Sequence, residues 1–274
     1  MTSALVLTVR LSELGHCPRD AAGEDHVEVD RLFAGSLYRG ALMKWDLKEL
    51  RAYVQQLFGE EQLHTVNQCL RTIGDRREFS RYHFREAKGL MEGVLQGRKD
   101  YELIAAQLGA FDTDERQFST ARFQAYAHTV ACVQSMHAVV DNMVYFAYYV
   151  LGFNQNPDTC IENERGITWC NVRKKLSAGP IKDGLSTLLH DPGFTYLAAL
   201  SNHSKHRSII DVSYLASFES EAIEHGLRFK PFTYDSKSYP TKWVLPTLTN
   251  EYQRQEGLIL AIGNAVNNSL RSRS

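Results

Sequence analysis

The sequence predicts a mainly α fold: a helical bundle around one long central helix, with a small N-terminal β element and a C-terminal β-hairpin inserted before the last helix. Three observations point there. From residue 46 onward, apolar residues recur at steps of three and four over most of the chain, the helical period. One such seam, from Tyr126 to Leu151, continues without interruption. Period-two alternation, the strand signal, is confined to short stretches near the start and after Leu200.

At the N-terminal end, Leu5, Leu7, Val9 and Leu11 alternate with smaller or more polar residues, and Val27 and Val29 alternate with His26, Glu28 and Asp30. Both read as short strands, joined by the loop "CPRDAAGED". Leu47, Leu50, Val54, Leu57 and Phe58 then follow helical spacing as far as Gly59. Leu63, Val66 and Leu70 give a second helix that stops at Gly74, and Asp75 can cap a third carrying Phe79, Tyr82, Leu90, Val94 and Leu95. Arg77, Arg81 and Arg85 share a face of that third helix and, with Glu78 and Glu86 nearby, read as a solvated surface.

The central helix starts where Asp112 and Glu115 have capping-box spacing. Tyr126, Val130, Val133, His137, Val140, Val144, Tyr148 and Leu151 form its seam, and Gly152 ends it. His137 sits inside the seam with Asp141 four residues on, so it is either a satisfied core histidine or a functional one. After the polar loop "NQNPDTCIENERG", helices are expected over Ile167–Leu176 and Ile181–Leu189, separated by Gly179-Pro180. Asp191-Pro192 reads as an N-cap followed by proline at the first helical position. The helix it starts carries Phe194, Leu197 and Leu200. Ile210, Val212, Tyr214, Ala216 and Phe218 then alternate as a strand. A hairpin follows with Asp235-Ser-Lys as its turn, Pro231 and Pro240 mark edge positions, and a last helix runs from Pro246 past Tyr252, Ile259, Ile262 and Val266. No repeat or low-complexity linker divides the chain. It reads as a single domain over 1–274, with a β-containing extension over 1–45, a helical segment over 46–110 and the bundle core over 111–270.

Bulk properties narrow the function classes. The 274 residues are 43% hydrophobic and 23% charged, with a net charge of −1, so no global field draws the chain to nucleic acid or membrane. Cys17, Cys69, Cys132, Cys160 and Cys170 are odd in number and form no CxxC pair, which favours a reducing cytoplasm over a disulfide framework. The N-terminus has no basic region like that of a signal peptide, and no apolar run approaches the roughly 18 residues of a membrane span. Phosphate-binding glycine loops, a nucleophile elbow and HExxH are all absent, and no cofactor is expected. His203 and His206 form HxxH, which would need a third ligand such as His137, His190 or Asp141, so no metal site is expected.

The chemistry concentrates in "LSNHSKHRSII", Leu200 to Ile210. Metal-independent ribonucleases need an imidazole to move a proton and a cation to stabilise the phosphorane. Here His206 is flanked by Lys205 and Arg207, and Asn202 can orient a phosphate or the imidazole. Arg173, Lys174 and Lys175 add a basic cluster if the fold brings them close. The alternative is a plain helix-to-strand joint, in which the cations offset the helix dipole and His203 and Asn202 satisfy free carbonyls.

Two features resemble the HEPN superfamily of helical bundles. One is the long amphipathic helix with a polar intrusion, "HAVVDNMVYFAYYVLGF". The other is a later helix ending in "LSNHSKH", in which Asn202 and His206 match an arginine-asparagine, three residues, histidine motif. The resemblance covers roughly residues 115 to 270, and Ser201 stands where active members of that family carry the arginine. It implies a four- or five-helix bundle, a homodimer with a site built across it, and roles in RNA cleavage, nucleotide-related binding, antiviral defence or toxin–antitoxin pairs. A serine is neutral and short, so it cannot make arginine's bidentate phosphate contact. The expected function is therefore a binding or assembly module with little or no catalysis. Ser201, His203, Arg173, Lys174, His137 and Asp141 are expected on its binding surface, and Asn202, Lys205, His206 and Arg207 in any catalytic role.

Overall fold

Most of residues 129–151 are buried, and the partly exposed positions Gln134, Ala138, Asp141, Asn142, Tyr145 and Tyr149 recur at helical spacing, so the helix that carries them is covered on all but one stripe. The computed structural model describes residues 44–97, 115–217 and 224–274. Among them the helices are α1 (Leu47–Phe58), α2 (Glu60–Leu95), α3 (Glu115–Val150), α4 (Trp169–Lys175), α5 (Pro180–His190), α6 (Pro192–His206) and α7 (Val244–Arg271). The strands are β1 (Val212–Ser217), β2 (Glu224–Phe229), β3 (Phe232–Tyr234), β4 (Lys237–Tyr239) and β5 (Lys242–Trp243). This is the expected mainly α bundle with a small β region before the final helix. The N-terminal strands expected within 1–45, the cap at Asp112 and the strand position at Phe218 lie outside the described residues.

Helices α2 and α3 each have 36 residues, about 54 Å of helix, and pack antiparallel. The register is shown by Gln62 Nε2 donating to Tyr149 O, the Cys132 thiol donating to Ser80 O at 3.3 Å, and a contact between His83 and His128. Burial pushes the Cys132 thiol up to about 12, so it is an inert neutral donor.

Helix α2 departs from expectation in two ways. It runs straight through Gly74, where a stop was expected. An interior glycine costs only about 1 kcal/mol, which the packing against α3 outweighs. Its buried stripe is Val66, Ile73, Ser80, Phe84, Ala87 and Met91, whereas the expected Phe79 and Tyr82 are 50% and 54% exposed. Ser80 and Ala87 belong to the inner face because small side chains let two long helices approach closely, a signal that apolar periodicity does not carry.

Gly152 ends α3 in the left-handed region, φ 72°, where a side chain would strain the backbone and overlap the Phe58 ring. Asp191 caps α6 as expected, its Oδ1 accepting from Gly193 N at 2.7 Å. Beneath that cap lies a group the sequence did not signal. Glu251, 3% exposed, accepts from Arg254 Nη2 at 2.7 Å, and the same guanidinium donates to Leu188 O at 3.0 Å. The pair ties α7 to the junction of α5 and α6. Helix α7 begins at Val244, two residues before the expected Pro246, because proline is accommodated in a first turn.

The sheet order is β1-β2-β5, antiparallel throughout, and β3-β4 form a separate two-stranded ribbon. The ribbon turns at Asp235 and Ser236, both with positive φ, as the tight hairpin turn requires. Pro231 and Pro240 lie between strands, where no ladder hydrogen bond is lost.

Two substitutions separate helix propensity from packing. Added atoms at Gly74 meet nothing within 4 Å, so Gly74→Ala should stabilise the fold by about 1 kcal/mol. At Gly263 a Cβ would overlap the Trp45 indole, so Gly263→Ala should destabilise it by about 1–3 kcal/mol. Urea unfolding of both variants checks the opposite signs.

Candidate functional site

Helix α6 presents three faces, set by its 100° rotation per residue, and each has a different neighbour. Phe194, Leu197, Ser201 and Lys205 share the first face. Phe194 stacks on the His137 ring of α3 at 5.7 Å and 12°. Tyr196, His203 and Arg207 share the second face, which meets the ribbon. Tyr196 lies 5.8 Å from Phe232 and 5.9 Å from Tyr239, and His203 lies 5.7 Å from Phe232. The Arg207 guanidinium sits 5.2 Å from the Tyr234 ring centroid. Asn202 and His206, four residues apart, share the third face with exposed Thr195.

The stretch from Ser201 to His206 is therefore helix, the last turns of α6, not a loop or corner. His203 closes it, its Nδ1 donating to Ser208 O at 2.6 Å. That bond and the ribbon contacts make His203 a structural tie. Ser201 is fully buried and its hydroxyl has no partner among the described residues. Lys205, His206 and Arg207 are exposed, Asn202 is half-buried, and neither Asn202 nor His206 has a hydrogen-bond or ion-pair partner among the described residues. Ser201 and His206 are five residues apart and so about 140° apart around the helix. An arginine and a histidine at these positions would not converge within one chain.

His137 is 8% exposed, and its Nδ1 has no hydrogen-bond partner among the described residues. Asp141 Oδ2 lies 3.6 Å away, within ion-pair reach but beyond a hydrogen bond. Burial holds the imidazole below its ordinary value; the Asp141 carboxylate opposes this, and the Lys205 ammonium adds to it. The sequence left open whether the histidine motif approaches His137. The structure brings Phe194 and Lys205 to it, while His203 and Asn202–His206 face elsewhere.

Arg173 and Lys174 do not join this group. Both are exposed on α4, where Lys175 holds Asp158 O at 2.7 Å and the Trp169 ring lies 6.3 Å from His190, the last residue before the α6 cap. That is the beginning of α6, and the 15 residues of α6 carry the motif about 20 Å further on. Among the described residues no group of three or more His, Cys, Asp or Glu side chains is arranged to hold a metal ion.

No sequence signal marks the His83–His128 pair, whose Nδ1 atoms lie 2.9 Å apart. The residues are 45 positions apart and meet only because α2 folds back along α3. One ring must donate and the other accept, so the pair holds one proton fewer than two imidazolium ions would. Burial, with the neighbouring His128 charge, lowers the His83 pKa against the opposing Glu86.

Comparison with protein-family models, with curated proteins and with solved structures finds no match. No helix among the described residues is long and apolar enough to cross a membrane.

Both His83 and His137 have folded-state pKa values below the ordinary 6.5. Below that value the unfolded chain binds protons that the folded chain refuses. Their stabilisation is complete above 6.5 and is lost as pH falls towards the lowered folded values. Unfolding free energy should therefore decrease from about pH 7.5 to about pH 5, and the double variant His83→Gln/His137→Gln should show a shallower fall. Urea titrations at the two pH values check both slopes.

Proposed function

We propose that this chain is a HEPN-like binding and assembly module, with little or no catalysis. In this reading the solvent face at the end of α6 meets a phosphate-bearing ligand, an RNA or a nucleotide, and the working form is a homodimer. One observation carries the reading: half-buried Asn202 and exposed His206 have no hydrogen-bond or ion-pair partner among the described residues, and the exposed cations Lys205 and Arg207 flank His206 in the chain, one on either side of that face. Exposed cations with free donors suit a polyanion, whose phosphates they neutralise without regard to sequence. Against catalysis, the position that would carry the family's arginine points into the bundle at Ser201. The neutral His137 is committed to the core and cannot serve as a second acid or base on that face. The exposed thiols Cys160 and Cys170 are free, which favours a cytoplasmic setting. A role in defence or in a toxin–antitoxin pair rests on the family resemblance alone.

A second reading keeps the same surface and adds chemistry. His206 is exposed with both ring nitrogens open, so it is available as a general acid or base in a metal-independent endoribonuclease, with Lys205 or Arg207 stabilising phosphate charge. A third reading, a helical scaffold unrelated to that family, leaves the α6 terminus as a joint between helix and sheet.

Fluorescently labelled single-stranded RNA, titrated in EDTA, separates the three. The binding reading expects saturable anisotropy with intact RNA. It also expects about a tenfold loss of affinity in Lys205→Ala/Arg207→Ala and a salt slope shallower by about 1.4, at about 0.7 per cation. Cleavage abolished by His206→Ala would establish the enzyme instead. Absence of both binding and cleavage in a folded preparation leaves the scaffold. Light scattering reports the dimer.

A further inference from the structure

We propose a second binding site, at the start of α5 and apart from the α6 motif, that takes a small organic anion with an apolar body. A cavity of about 610 Å³ opens between the α4–α5 turn, the end of α3 and the last turns of α7. That volume suits a small organic molecule. Leu151, Phe153 and Ile181 give it apolar walls, and Lys175 and Arg273 bring two positive charges to it.

Among the described residues no aspartate or glutamate lines the cavity. Among them, Lys175 Nζ donates to the backbone carbonyl of Asp158 at 2.7 Å, and the Arg273 side chain to Leu151 O at 3.4 Å. Among the described residues neither has a carboxylate partner, in contrast to Arg254, Arg271 and Arg77, each of which has one. The turn that forms one wall is held open by Gly179 at φ 139°, which a side chain would strain. Next to it α5 starts without a side-chain cap, and Asp183 in its first turn offsets the potential of its free N–H groups, so Lys175 and Arg273 are the source of positive charge at the rim. Apolar walls beneath two unpaired cations favour a ligand with a carboxylate, sulfonate or phosphate head on an apolar body, and disfavour a neutral or cationic one.

The probe is 8-anilinonaphthalene-1-sulfonate, titrated against the full folded chain, with neutral N-phenyl-1-naphthylamine as the uncharged counterpart. The site expects saturable fluorescence enhancement by the sulfonate. Arg273→Glu, on an exposed side chain, should weaken it at least about tenfold, the scale of a charge-assisted hydrogen bond, and leave the neutral dye unchanged. Ala265→Trp, which fills the cavity, should block both dyes. No saturable binding of the sulfonate, or equal affinity in the parent chain and in Arg273→Glu, overturns the proposal. Should Ala265→Trp fail to fold by circular dichroism, the Arg273→Glu comparison decides alone.

Discussion

The structure depends on burying α3 on all but one stripe. Between Thr129 and Leu151 it presents apolar or small residues around most of its circumference, the remaining stripe carrying Gln134, Asp141, Asn142 and Tyr145, of which Asp141 is the exposed one. A helix of this kind cannot stand at a surface, since each large apolar side chain left in water forgoes about 1.5–3 kcal/mol. Coverage comes from α2 along its length and from α1, α4, α5, α6 and α7 around the remainder. Tyr148 and Phe146 fill the densest part, and the Trp45 indole closes over Phe146 edge-on at 5.4 Å. The same indole blocks any side chain at Gly263, so the beginning of the described bundle and its last helix are fitted to each other.

Around this core the polar groups have distinct tasks. Glu251 and Arg254 are a buried pair that hold α7 against the α5–α6 junction. Removing either partner would strand a charge, which makes such a pair a device for fixing geometry more than a source of net stability. Burial lowers the pKa of His137 in the core, and partial burial together with His128 lowers that of His83. The end of α6 is different in kind. Lys205 and His206 are exposed there, and neither Asn202 nor His206 has a hydrogen-bond or ion-pair partner among the described residues, so no polar contact explains why that face is polar on a helix otherwise packed on two sides. That contrast is the physical basis for reading it as a contact surface.

Much of the fold was legible in the sequence because helical period and end signals are local. The central seam, the stop at Gly152, the Asp191-Pro192 start, the hairpin turn at Asp235 and the face of α7 all follow from residues within a few positions of one another. Gly74 failed as a stop for the opposite reason. Its local preference against helix is about 1 kcal/mol, and a contact with α3, more than fifty residues away in sequence, overrides it. The inner stripe of α2 was misplaced because close helix packing selects Ser80 and Ala87, which hydrophobicity does not mark.

The sequence by itself determined the fold class, the element types and the concentration of basic and imidazole groups between Ser201 and Arg207. It could not decide which of those groups are free. That is a matter of rotation about one helix and of what lies against each side. Only the tertiary structure turned Ser201 inward under α3, gave His203 to Ser208 and the ribbon, and left half-buried Asn202 and exposed His206 without a polar partner among the described residues. Nor could spacing show that His83 meets His128, or that Lys175 and Arg273 face one cavity, because those contacts join residues 45 and 98 positions apart. Chain distance carries no such information: a side chain's neighbours are set by how helices cross, and its availability for chemistry by what they leave uncovered.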